Sequence, residues 1–294
     1  MPDVVLQNGT RFTCKPAISI LDNALANGIS LEHSCKTGQC GVCASRVMAG
    51  NTEVLKSEIS LNAQQREQGF VLTCCRAATT DLQLDSEDLP ELQGLTVKTC
   101  PARIDAIDYL NSSVIRVVLR TPPNNSLQFL PGQYVSVIGP NSLRRSYSVA
   151  NAPRADNKIE LHIKKVEGGA VSQYWFEQAK VNDLLRFEGP LGTFFVRSPA
   201  PKKLLLLATG TGLAPVKSIL EQFIQIDAAK RPEIHVYWGN RNDSDIYTDL
   251  HDLAGPNVQA HLLLSRPGPE WTGRTGYVQQ AVLEDEHDLS ECAV

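Results

Sequence analysis

The chain has 294 residues, 42% hydrophobic and 20% charged, with a net charge of -4. This length and apolar fraction predict two or three packed domains and exclude a disordered chain, while the mildly acidic balance offers no field to draw nucleic acid or an anionic membrane surface. The first residues, MPDVVLQNGTRFTC, lack the basic start and apolar core of a signal peptide, and no run approaches the roughly 20 apolar residues of a membrane span. The expectation is a soluble, cytoplasmic chain, in which eight cysteines point to metal or redox chemistry rather than a disulfide framework.

Residues 3–14 alternate as two strands about Asn8-Gly9, a hairpin, and ISILDNALANGI predicts a short helix ending at Asn27-Gly28. A cysteine loop, the strand and turn VMAGNTEV, and a strand pair around FVLTC and DLQLD complete a first domain over residues 1–88. Residues 89–98 read as a linker, mixing charge, proline and glycine without a period. Residues 99–199 carry closely spaced strands, RIDAIDYLNSSVIRVVLRTP, GQYVSVIG and IELHIKKV, which predict an antiparallel barrel partly covered by a helix at GGAVSQYWFEQAK. Over residues 200–294, LLLLA, GTG and PVKSILEQFIQI read strand, turn and helix, and EIHVYWG and QAHLLLS add strands, so an α/β parallel sheet is expected. The fold class is multidomain α+β.

Cys35, Cys40 and Cys43 are spaced C-x4-C-x2-C, and Cys74 follows after thirty intervening residues. Four thiolates can hold two irons bridged by two sulfides, with Gly38 and Gly41 letting the backbone pass close to them. A structural zinc site would pair C-x2-C with a second such knuckle, which is lacking. Buried unligated thiols are the other alternative, and they suit the isolated Cys14, Cys100 and Cys292. The spacing resembles the plant-type 2Fe-2S ferredoxins. Cys74 and the adjacent Cys75 both compete for the fourth ligand position, and the L-T-C of that family falls on Leu72-Thr73-Cys74, which implies Cys74.

PGQY at 131–134, RSYS at 145–148, GGAVS at 168–172 and GPLG at 189–192 resemble, in that order, the flavin domain of the ferredoxin-NADP reductase superfamily. The resemblance implies FAD, with Arg145 at its pyrophosphate, Tyr147 against the isoalloxazine and Ser148 near N5. It also implies Gly168, Gly169 and Ser172 at the phosphates, and His162 and Lys164 among the cofactor-binding residues. Tyr147 and Ser148 are the implied catalytic pair. In Thr209-Gly210-Thr211-Gly212-Leu213-Ala214-Pro215, Pro215 replaces the third glycine of the dehydrogenase fingerprint, but the run matches the superfamily's G-T-G-x-A-P. Gly210, Thr211, Gly212, Pro215 and Gly239 are then nicotinamide-nucleotide residues. Asp243 and Asp245 beside Arg241 favour NADH over NADPH.

Histidines 33, 162, 235, 251, 261 and 287 show no metal spacing. A flavin between a two-electron donor and a one-electron cluster orders the cofactors as NADH, FAD, 2Fe-2S and then a partner protein docking near Cys40 and Cys43. The runs LEHSCKTGQCGVC, RRSYSVANAP, FEGPLGTFFVR, GTGLAPVKS and WTGRTGYVQQAVLED resemble the CDP-6-deoxy-glucoseen reductases of 3,6-dideoxyhexose biosynthesis. That resemblance implies a pyridoxamine-phosphate dehydratase bound to a CDP-sugar as acceptor. The reductase component of an oxygenase and a ferredoxin-like carrier with an inactive nucleotide domain are the alternatives. The chain ends at Ser290-Glu291-Cys292-Ala293-Val294, before the family's Cys-Gly motif and aromatic end, so impaired hydride transfer or a fragment is a further expectation.

Overall fold

The computed structural model describes all residues except 140, 141, 198–200, 228, 229, 256, 257, 287, 291 and 294. His287, Glu291 and Val294, named above, therefore lie outside the described residues. The chain divides into two compact units, Met1–Leu95 and Thr96–Val294.

In the first unit, β1 (Asp3–Leu6) and β2 (Arg11–Thr13) form the expected antiparallel hairpin. Helix α1 (Ile20–Ala26) starts where Ser19 Oγ accepts the Asp22 amide at 3.0 Å and buries Ile20, Leu21 and Ala24. It stops at Asn27, followed by Gly28 at φ +75°. Strands β3 (Ala44–Ala49), β4 (Thr52–Val54), helix α2 (Ala63–Glu67), β5 (Phe70–Leu72), β6 (Arg76–Ala78) and β7 (Leu82–Asp85) follow. The main sheet has the order β2-β1-β7-β3-β5, with β1 and β7 parallel, while β4 and β6 form a separate ladder. The expected pairing of FVLTC with DLQLD is corrected: β3 lies between β5 and β7 and bonds both. Alternation shows which face of a strand is buried but not which strand is its neighbour. Val4, Leu6, Phe12, Leu31, Leu72, Leu82 and Leu84 close the core with α1, each burial worth roughly 1.5–3 kcal/mol.

The second unit begins with β8 (Lys98–Tyr109), β9 (Val114–Arg120), β10 (Tyr134–Ile138), β11 (Arg144–Ser148), β12 (Lys158–Lys164), α3 (Ala170–Gln173) and β13 (Leu184–Leu191). The six strands run β11-β10-β13-β8-β9-β12, all antiparallel. A bridge from Val149 to Leu161 brings the two edges together, so the sheet nearly closes on Ile104, Val117, Leu119, Val135, Leu161 and Phe187. The helix expected over GGAVSQYWFEQAK is α only to Gln173. Residues Tyr174–Gln178 widen into a π turn, closed by the Ala179 amide on the Tyr174 carbonyl, and Trp175 packs in the barrel core.

The remainder is α/β: β14 (Lys203–Thr209), α4 (Leu213–Ile224), β15 (Glu233–Asn240), α5 (Leu250–Ala254), β16 (Val258–Leu264), β17 (Arg274–Thr275), α6 (Val278–Asp285) and β18 (Cys292–Ala293). The sheet β17-β16-β15-β14-β18 is parallel throughout. Ile234, Val236 and Trp238 share a core with α4 and α5, and Tyr237 meets α6 on the opposite face.

Polar contacts join barrel to sheet within this unit. Lys217 on α4 donates to the Ala150 carbonyl at 3.0 Å, Ser218 Oγ donates to the Asn151 carbonyl at 2.7 Å, and Glu221 accepts the Ala152 amide at 3.0 Å. Glu160 of β12, 4% exposed, lies 3.0 Å from both Lys217 Nζ and His162 Nε2. The other ring nitrogen of His162 is 3.1 Å from the Tyr247 hydroxyl.

Candidate functional site

The four ligand candidates of the first unit meet as two pairs. Cys43 Sγ lies 3.2 Å from Cys74 Sγ, both buried, while Cys35 hydrogen-bonds with Cys40, which is exposed. Among the described residues no three metal-binding side chains converge on one point. Two pairs suit two irons that each take two thiolates. Gly38 and Gly41 stand at φ +78° and +77°, and a Cβ on Gly38 would meet the Ser57 carbonyl oxygen at 2.2 Å. Only glycine lets the loop turn here. Burial would raise the Cys35 thiol, but hydrogen bonds from Thr37 and Cys40 bring it down to about 6. Burial pushes Cys43 up to about 12. A thiol so reluctant to ionise becomes a thiolate when a metal takes up its charge. The residues therefore fit the cluster.

In the barrel, Tyr147 and Ser148 end β11, opposite Val135 and Tyr134. Trp175 Nε1 donates to the Tyr147 hydroxyl at 3.2 Å, the rings packing edge to face at 6.3 Å, so the tyrosine is held from behind. Arg145 is exposed. Ser172 Oγ accepts the Val166 amide at 2.7 Å, and Gly168, at φ +70°, leads the chain into α3. PGQY and GPLG prove to be one scaffold beneath this edge. Gln133 Nε2 donates to the Gly192 carbonyl at 2.9 Å, and Cβ atoms added at Gly132 or Gly192 would strike Phe194 O at 2.3 Å or the Tyr134 ring at 2.7 Å. The side chains of His162 and Lys164 are committed elsewhere, His162 to Glu160 and Tyr247, Lys164 to Asp245 at 2.9 Å. Any part they take at a flavin falls to their backbone. A cavity of about 620 Å³, lined by Pro101, Ile138, Tyr174, Asp183 and Leu185 among others, holds none of these residues and is separate from the site.

Gly210, Thr211 and Gly212 turn the chain from the carboxyl end of β14 into the twelve-residue α4, with Pro215 in its first turn. Cβ atoms added at Gly210 or Gly212 meet nothing within 4 Å, so the space over the turn is open. Trp238 Nε1 holds the turn through the Gly210 carbonyl at 2.9 Å. Open glycine backbone at a helix N-terminus, beside the carboxyl ends of parallel strands, suits a pyrophosphate. Gly239 acts differently: its missing Cβ makes room for Val278 of α6, which a methyl would meet at 3.0 Å. Asp245 is neutralised by Lys164, and Asp243 accepts the Gly268 amide at 3.0 Å.

Sequence reading missed Asn240, which ends β15 with its side-chain oxygen and nitrogen buried and without hydrogen-bond partners among the described residues. A buried amide with neither group satisfied is costly and calls for an explanation. One residue beyond Gly239 at a strand's carboxyl end, it was visible only as the residue following YWG.

Comparison with known proteins follows the same three parts. Family models match in order: the 2Fe-2S iron-sulfur cluster binding domain over residues 4–79, the oxidoreductase FAD-binding domain over 101–196 and the oxidoreductase NAD-binding domain over 206–294. The CDP-6-deoxy-L-threo-D-glycero-4-hexulose-3-dehydrase reductase of Yersinia pestis is 40% identical over 286 residues, covering 96% of this chain and 85% of the relative. The phenol hydroxylase P5 protein of Acinetobacter pittii is 33% identical over 288 residues, covering 94% and 80%. Among solved structures, the cytochrome P450 reductase of Amycolatopsis superposes with a TM-score of 0.70 at 27% identity, covering all of this chain and 89% of the other.

Proposed function

Because the chain belongs to the ferredoxin-NADP reductase superfamily, as a flavin reductase with an N-terminal 2Fe-2S ferredoxin domain, we propose that it takes electrons from NADH and delivers them to a pyridoxamine-phosphate CDP-sugar dehydratase. The order of transfer is NADH, FAD, 2Fe-2S cluster, acceptor. Its identity to the hexulose-3-dehydrase reductase, 40% against 33% for the phenol hydroxylase protein, is the observation that carries the choice of acceptor. The oxygenase-component reading is kept by that second relative. Domain limits follow the motifs: 1–88 for the cluster, 89–98 as linker, 99–199 for the flavin and 200–294 for the nucleotide.

Each group has residues to hold it. Cys35, Cys40, Cys43 and Cys74 ligate the cluster, with exposed Cys40 on the side where an acceptor approaches. Arg145 neutralises the flavin pyrophosphate, Tyr147 packs on the ring system while Trp175 fixes its hydroxyl, and Ser148 stands by N5 as donor. The turn Gly210–Gly212 receives the nicotinamide nucleotide's pyrophosphate, and Asn240 has a free donor and acceptor for the same ligand. A bound flavin supplies the conversion between a hydride's two electrons and the single electrons a cluster accepts. Asp243, which forms no ion pair among the described residues where Asp245 is paired with Lys164, disfavours a 2'-phosphate and supports NADH.

The acceptor is tested by supplying NADH and the reconstituted protein to a CDP-sugar dehydratase with its substrate, and in parallel to a phenol hydroxylase oxygenase component. The proposal expects deoxygenated sugar in the first mixture and background turnover in the second. The reverse pattern would move the protein to the oxygenase class.

A further inference from the structure

Cys75 is the thiol next to a cluster ligand that the cluster reading leaves without a task. Its Sγ lies 3.5 Å from Cys74 Sγ and 3.7 Å from the Ser57 carbonyl oxygen, and the residue is fully buried. It is also held in place. The Leu55 amide donates to the Cys75 carbonyl at 2.8 Å, the Ser60 amide donates to the Gly38 carbonyl at 3.1 Å, and a Cβ on Gly38 would come within 2.9 Å of Cys75 Sγ. The loop carrying Cys35, Cys40 and Cys43 therefore passes close to this sulfur at Gly38, where no side chain intervenes.

The direction of the sulfur–sulfur contact follows from proton count. A cysteine that ligates iron is a thiolate and has no hydrogen to give. With Cys74 as ligand, only the Cys75 S–H can donate between them, and that single proton is shared in a three-centre bond with the Ser57 carbonyl, which also accepts from it at 3.7 Å. Hydrogen bonds to ligand sulfurs draw off part of their charge, and the more negative, reduced cluster gains most from this.

Resting on the cluster assignment above, we propose that Cys75 is a positioning residue that donates a hydrogen bond to Cys74 Sγ and raises the reduction potential of the cluster. Cys75 is not itself a ligand. No bond forms or breaks at it and its proton stays on sulfur.

The test uses full-length protein with Cys75→Ala and Cys75→Ser, titrated with mediators and dithionite and followed by electron paramagnetic resonance, so that neither flavin nor acceptor activity enters. Both variants should keep the wild-type iron and sulfide content. Cys75→Ala should need a lower potential, its reduced-to-oxidised ratio at fixed potential falling several-fold, and Cys75→Ser should recover part of the loss through its hydroxyl. An unchanged potential in Cys75→Ala overturns the inference. So does loss of the cluster from both Cys75 variants with retention in Cys74→Ser, which would make Cys75 the ligand. A wild-type protein that binds no iron or sulfide after reconstitution would instead remove the cluster assignment itself, and this inference with it.

Discussion

Lys217 Nζ stands 3.0 Å from Glu160 Oε1 and joins the helix that follows the GTG turn to β12, an edge strand of the barrel sheet. Burial would raise this carboxyl, but the hydrogen bond from His162 and the charge of Lys217 outweigh it and hold it at about 2, against an ordinary 4.5. A carboxyl depressed on folding stabilises the protein fully above its unfolded value and loses that contribution as pH falls through the folded one. Stability of the wild type should therefore decline from about pH 4.5 toward pH 2, with a shallower slope over that window in Glu160→Gln. Glu160→Ala, which takes one partner each from Lys217 and His162 while Glu221 and Tyr247 still hold them, should cost about 2 kcal/mol in urea unfolding at neutral pH. Equal pH slopes in wild type and Glu160→Gln would show that the carboxylate does not carry this linkage.

The two thiol pairs lead to a sharper loss. Serine at any one of Cys35, Cys40, Cys43 or Cys74 should abolish most of the visible cluster absorption, whereas Cys292→Ser, in the edge strand β18, should leave it intact. Iron and sulfide analysis beside the spectrum checks both statements.

Two glycines should behave oppositely. Gly210 stands at φ +51° with open space before it, so Gly210→Ala should cost about 1 kcal/mol of stability but raise the KM for NADH roughly tenfold. A Cβ on Gly132 would meet Phe194 O at 2.3 Å, so Gly132→Ala should lower the barrel's melting temperature and its flavin content together. Thermal unfolding and steady-state kinetics on the pair separate the two roles.

What could be read in advance depended on whether the governing physics is local. The C-x4-C-x2-C spacing, the GTG turn and the strand-helix alternation are local, and so they were legible. The partner of a strand is not, and β3 between β5 and β7 went unforeseen. Helix α2 carried its signal in Asn62 and Gln65, a capping box closed at both ends, but its sequence AQQRE has no apolar face to announce it. Least legible was the cluster of Glu160, His162 and Lys217, whose members are separated by up to 57 positions in the chain. His162 reads as a flavin contact from the strand motif alone, and only the fold shows its ring bonded between Glu160 and Tyr247.

The choice of nicotinamide rests on Asp243. Its replacement by Asn removes one negative charge from the loop after β15 while keeping an acceptor for the Gly268 amide. The ratio of kcat/KM for NADPH to that for NADH should rise several-fold, as expected for about 1 kcal/mol of relieved repulsion in a solvated loop. No change in this ratio would place the selectivity elsewhere.

The central claim is that one chain carries electrons from a nicotinamide through a flavin to a cluster. The direct test is an anaerobic visible spectrum of the reconstituted protein before and after one equivalent of NADH. Bleaching of both flavin and cluster bands is the predicted result. Cluster bands present, with a flavin that neither NADH nor NADPH reduces, would contradict the relay and leave a ferredoxin-like carrier.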